Sequence, residues 1–80
     1  MTPSVKNVSL SDFKRFLTHH GLKNIRTSGG HEVWSGHGLT RPVIIQTHID
    51  PIPLFVIKNN LRTMGLKLID LRKFMDTKRH

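Results

Sequence analysis

Apolar side chains recur along this chain with two different periods, and the change of period separates its elements. Leu10, Phe13, Phe16 and Leu17 stand three or one apart in the order a helix requires, with His20 continuing the row, while Lys14, Arg15 and Thr18 fall largely on the other face. That spacing predicts an amphipathic helix. Ser9 precedes it as an N-cap, Asp12 follows three residues on, where an acidic group suits the positive end of the dipole, and Gly21 predicts a left-handed close.

From Leu22 the period shortens. The run "LKNIRTS" reads as a strand with Leu22 and Ile25 partly inward, and Gly29-Gly30 as a turn that permits positive φ. "HEVWS" follows as a second strand, with His31, Val33 and Ser35 on one side and Glu32 and Trp34 on the other. After Gly36-His37-Gly38, "LTRPVIIQTH" reads as a third strand with Val43, Ile44 and Ile45 as a continuous apolar run. Pro42 lacks an amide hydrogen, which puts the start of that strand on an edge or at a bulge. "IDPIP" stops the sheet and Pro53 opens a second helix, with Leu54, Ile57, Leu61 and Met64 as its stripe and Gly65 as its end. Lys58 and Arg62 lie four apart on another face of it as a basic ridge. Leu68, Leu71 and Met75 predict a short third helix.

The order α-β-β-β-α(-α) predicts an α+β fold, an antiparallel three-stranded meander with helices packed on one face, which is the layout of double-stranded-RNA-binding domains. The 80 residues make one domain: a flexible arm over 1–8, a core over 9–66, and a C-terminal helical extension with a basic tail over 67–80. A chain of this size buries only about 60–65% of its unfolded surface, and the absence of cysteine leaves neither a disulfide nor a thiolate zinc site to supplement that core. It also fits a reducing, cytoplasmic setting. The longest apolar-leaning run, "PVIIQTHIDPIPLFVI", is broken by prolines and polar residues, so no membrane span is expected. No basic segment leads into an apolar stretch at the N-terminus, so no secretory signal is expected either.

Charge changes the picture most. Thirteen Lys and Arg against five Asp and Glu give a formal net charge of +8, a field that concentrates polyanions such as RNA, DNA, an acidic protein or an anionic membrane surface. Tyrosine is absent and aromatics are few, which argues against a base-stacking sheet of the single-strand-binding kind.

Of the six histidines, His19 and His20 stand at a helix C-terminus, where the dipole favours a cation, and His37 between two glycines reads as a turn residue or a phosphate contact. His31 and His48 differ. His31 opens a strand directly after the diglycine, where a small turn lets a substrate backbone approach and a strand holds the imidazole in place. His48 ends the following strand, so hairpin pairing brings the two imidazoles to one end of the sheet, a geometry suited to acid–base work. A strand-end histidine is also an ordinary surface or capping residue. The H-x5-H spacing of His31 and His37, with His48 beyond, matches no zinc motif, and no metal or cofactor is expected.

With Leu17-Thr-His-His-Gly21, then Gly29-Gly30-His31 and Trp34, and then Thr47-His48 followed by Pro53, Leu54, Ile57 and Met64-Gly65, the chain resembles the HicA family of bacterial mRNA interferases, the toxins of HicA–HicB toxin–antitoxin pairs. The resemblance runs from about Ser9 to Leu66. It implies metal-independent cleavage of mRNA on a double-stranded-RNA-binding-like fold, and an HicB-type antitoxin protein as the partner that covers the active face. Position for position, His31 takes the family's catalytic histidine, whose ordinary pKa of about 6.5 lets it accept a proton from a ribose 2′-hydroxyl near neutral pH. Gly29, Gly30, Arg26, Arg41, His48, Lys58 and Arg62 are then the candidates for holding RNA, with His48 also the candidate general acid. Three departures stand out: Gly30 replaces the family's usual serine, Gln46-Thr47-His48 replaces a proline-x-histidine, and the run after Gly65 is longer. Two other readings of the same basic face are a non-catalytic RNA- or DNA-binding module and an interaction domain for an acidic protein.

Overall fold

The computed structural model describes residues 7–78 of the chain. Its elements are α1 (Leu10–His19), β1 (Lys23–Ser28), β2 (His31–Ser35), β3 (Val43–Gln46), α2 (Leu54–Met64) and α3 (Leu68–Lys78). The three strands form one antiparallel sheet in the order β1-β2-β3, which is the α+β meander that the periodicity predicts. Residues 1–6 of the expected arm and 79–80 of the expected tail lie outside the described residues. No helix among the described residues is long and apolar enough to cross a membrane.

The ends of α1 follow from its sequence. The Ser9 hydroxyl accepts the Asp12 amide at 3.0 Å. At the other end Gly21 takes φ +83°, Leu22 N–H reaches back to the Leu17 carbonyl at 3.0 Å, and Leu22 is buried beside it. With the Gly21 N–H on the Thr18 carbonyl, also at 3.0 Å, two carbonyls of the last turn are satisfied, and the buried Leu22 side chain covers them. Gly65 ends α2 in the same way, with Leu66 N–H on the Leu61 carbonyl at 2.8 Å.

The core lies between the sheet and the helices. Phe13, Phe16 and Leu17 of α1, Trp34, Val43 and Ile45 of the sheet, Ile57 and Leu61 of α2 and Leu71 of α3 form one buried cluster. Only β2 and β3 contribute to it. Every residue of β1 is exposed, because the helices do not reach under that strand. Ile25, expected partly inward, is 63% exposed, since the pairing with β2 slips between Asn24 and Arg26 and leaves Ile25 in a bulge. β3 alternates, with Val43 and Ile45 buried and Ile44 half exposed, so the apolar run there serves two surfaces. Leu54, expected in the α2 stripe, is 45% exposed at the first turn.

The expected arm also needs correction at its last residue. Val8 is fully buried, its carbonyl accepts the Ile52 amide at 2.9 Å, and Asp50 Oδ1 accepts the Leu10 amide at 3.0 Å. The chain before α1 and the "IDPIP" corner therefore hold each other. His20 departs from its expected role as a helix-end cation: its ring stands edge-on to Phe16 at 4.6 Å between centroids. Burial first, and then the neighbouring His19, lower its pKa, and Asp70 only partly offsets them.

One polar group sits inside this core. Glu32, 9% exposed on the inner face of β2, accepts the Lys14 ammonium at 2.7 Å and the Trp34 indole N–H at 2.9 Å. Burial by itself raises the Glu32 carboxyl, but the hydrogen bonds from Lys14 and Trp34 and the Lys14 charge outweigh it and leave the pKa below its ordinary value. A carboxyl held low in the folded state contributes stability in full above its ordinary pKa and loses it as the pH falls through the depressed folded value. Glu32→Ala, which leaves the indole N–H and the ammonium without their acceptor, is expected to cost about 1–3 kcal/mol near neutral pH by urea denaturation. Glu32→Gln is expected to remove this residue's share of the acid sensitivity, read as a shallower fall of stability below about pH 4.5.

Candidate active site

The site is built on the turn between β1 and β2. Gly29 and Gly30 both take positive φ, +57° and +83°, the signature of a two-residue turn whose twist matches the flanking strands. Ser28 and His31 close it as a cross-strand pair, and on the other side His31 pairs with Gln46 of β3. The backbone of His31 is thus held from both sides while its side chain is exposed. Alternation does the rest: Glu32 and Trp34 are buried, so His31 and Val33 face the side of the sheet away from the core.

The hairpin register selects the cation that joins it. Counting back from the Ser28–His31 pair, Thr27 stands opposite Glu32 and Arg26 opposite Val33, and beyond the Ile25 bulge Asn24 returns to the face of Thr27, where its amide donates to the Thr27 hydroxyl at 3.0 Å. Asn24 Oδ1 also accepts the Arg26 amide at 3.1 Å, which fastens the bulge. Arg26 is consequently a diagonal neighbour of His31, at a spacing of about 7–8 Å that its side chain can bridge.

His48 arrives by a different route. The Gly30 carbonyl accepts both the amide of Thr47, at 2.7 Å, and its hydroxyl, at 3.0 Å, so the chain leaving β3 is tied to the diglycine turn. A Cβ built on Gly30 would stand 3.1 Å from His48 Nδ1, whereas nothing lies within 4 Å of one built on Gly29. The His48 imidazole therefore occupies the space beside Gly30 that a side chain there would need. His48 does not end the strand as expected, since β3 stops at Gln46; it lies in the turn that follows and stands against Gly30, the neighbour of His31.

The remaining expected RNA contacts are not gathered here. Arg41 precedes Val43, which pairs with Trp34, so it lies at the opposite end of β2, roughly 13 Å away for four residues at about 3.3 Å each. His37 is in the loop at that same far end. Lys58 and Arg62 line a shallow groove with Lys67 at the α2–α3 corner, apart from the groove that His31 borders. Among the described residues no three His, Cys, Asp or Glu side chains converge as a metal site.

Two features of the site were not read from the sequence. One is Glu32, whose burial fixes the facing of β2; its only sequence signal is a carboxylate at an inward position. The other is a groove of about 370 Å³ between the outer edge of β3 and the first turns of α2, bordered by His31 and walled by Ile44, Ile49 and Phe55. Phe55 stands off the α2 stripe, which marks it as having another use.

Gly30→Ser tests the packing around the turn. It is expected to lower stability by about 1–2 kcal/mol, the cost of a left-handed conformation for a residue with a Cβ, and to shift the ring-proton resonances of His48 in the NMR spectrum. Gly29→Ser is expected to carry only the conformational cost. An undisturbed His48 signal in Gly30→Ser would count against the arrangement.

No family model, curated protein or solved structure matches the chain.

Proposed function

We propose that this protein is an endoribonuclease that cleaves mRNA with His31 as general base, the toxin of a type II toxin–antitoxin pair. One observation carries the reading: an exposed imidazole, held through its backbone by both neighbouring strands, stands at one sheet end with Arg26 on its face and His48 against its turn. The net charge of +8 supports a polyanionic substrate, and the resemblance to the HicA family supports the finer assignment.

The chemistry needs only what RNA and these residues supply. His31 accepts the proton of a ribose 2′-hydroxyl, and the freed oxygen forms a bond to the adjacent phosphorus. Arg26 stabilises the charge that builds on the phosphoryl oxygens. The bond from phosphorus to the 5′-oxygen breaks, and that oxygen takes a proton from His48. The products are a 2′,3′-cyclic phosphate and a 5′-hydroxyl. An HicB-type antitoxin, acidic where it meets Arg26, silences the protein in the cytoplasm by covering this face.

His31→Ala is expected to lower the cleavage rate of a labelled single-stranded RNA roughly 10²–10⁴-fold and to abolish growth arrest when the protein is induced in bacteria. An all-deoxy substrate of the same sequence is expected to stay intact, and EDTA to leave cleavage unchanged. Cleavage by His31→Ala at the parent rate would sink the mechanism. RNA that binds in a salt-sensitive way but stays whole would favour the non-catalytic module instead.

A further inference from the structure

We propose that the groove beside His31 is a nucleobase subsite, which holds the base of the nucleotide whose 2′-hydroxyl reacts. The inference rests on the ribonuclease reading of the same site and goes beyond it by assigning which part of the substrate the groove reads.

Charge comes first. In a chain of net charge +8, no Lys, Arg, Asp or Glu lines this groove, although His31 borders it and Arg26 lies across the face. A phosphate would find no cation inside it. The phosphate belongs on the His31–Arg26 face, and the neutral part of the same nucleotide belongs in the neutral groove.

The walls match the two surfaces of a base. Phe55 is 68% exposed and Ile44 is 50% exposed, giving an aromatic and an aliphatic surface against which the faces of a flat heterocycle can lie. Gln46, directly opposite His31, and Asn59 add primary amides to the lining. Each amide offers both a donor and an acceptor, the pairing that a base edge presents. A ribose whose 2′-oxygen reaches His31 carries its base one sugar away, which is where the groove begins.

A peptide strand is a poorer occupant. β3 is an edge strand and its outer side would otherwise invite strand addition. Asn60 of α2, 8% exposed, donates from its amide to the Ile44 carbonyl at 3.4 Å and so occupies an acceptor that an added strand would use. A further strand would have to displace that contact, whereas a side group entering the groove would not.

Phe55 and Asn59 are exposed, so replacing them leaves the core intact. The test measures binding of 2′-O-methyl octanucleotides of each single base, and of one abasic octanucleotide, by fluorescence anisotropy. These probes lack the attacking hydroxyl, so binding is read whether or not the protein cleaves. The parent is expected to rank the four bases and to bind the abasic probe about tenfold more weakly; Phe55→Ala is expected to lose about tenfold on the base-bearing probes, and Asn59→Ala to flatten the ranking. On natural RNA, the nucleotide left with the cyclic phosphate is expected to be biased by the parent and less so by Asn59→Ala. Equal affinities and rankings for parent and both variants, or no binding of any probe, would overturn the subsite; a groove reserved for a protein partner would give that result. Base-selective, Phe55-dependent binding without cleavage of natural RNA would keep the subsite and remove the ribonuclease reading. Cleavage that depends on His31 but not on Phe55 or Asn59 would do the reverse.

Discussion

The carboxylate of Glu32 is the constraint on which the rest of this small structure depends. It lies on the inner face of β2 and is held by Lys14 from α1 and by the indole of Trp34, two residues along its own strand. A strand has only two faces, and a slip of one residue exchanges them. With the sheet open on its other side, an ion pair that joins β2 to α1 specifies the facing in a way apolar packing alone does less sharply. The exposure of His31 is the direct consequence, because His31 is the neighbour of Glu32 and must point the opposite way. A charge inside the core thus sets the orientation of a group outside it.

A second constraint acts on the turn. The diglycine is required for its dihedral angles, but Gly30 also leaves the space that His48 fills, and its carbonyl receives both hydrogen bonds of Thr47. Gly30 and His48, well separated along the chain, are therefore physically linked: a Cβ at position 30 would stand 3.1 Å from His48 Nδ1, so the ring would have to give way by a few tenths of an ångström.

The charges are distributed less evenly than a net value of +8 suggests. Arg26 shares the His31 face through the hairpin register; Lys14 pairs with Glu32; Lys58, Arg62 and Lys67 gather at the α2–α3 corner. The groove next to His31 is left neutral. A cationic face therefore stands beside a neutral groove at the same hairpin end.

Much of this was legible along the chain. The helix spacing, the Ser9 cap, Gly21 and Gly65 as closing residues, the diglycine turn and the alternation of β2 are local properties, written within a few residues by sterics and periodicity. Ile25, Val8, Glu32 and the separation of Arg41, Lys58 and Arg62 from His31 were not. Each depends on a partner distant in sequence: the bulge on pairing with β2, Val8 on Ile52, Glu32 on Lys14, the basic residues on which side of the sheet and helices they reach. By itself the sequence determined the elements, their order and the position of His31 at a strand end, because those follow from backbone preference and side-chain period. Tertiary structure alone decided the Glu32–Lys14 pair, the placing of the His48 ring against Gly30 and the separation of Arg41, Lys58 and Arg62 from His31, because that requires closing loops whose ends no local preference connects.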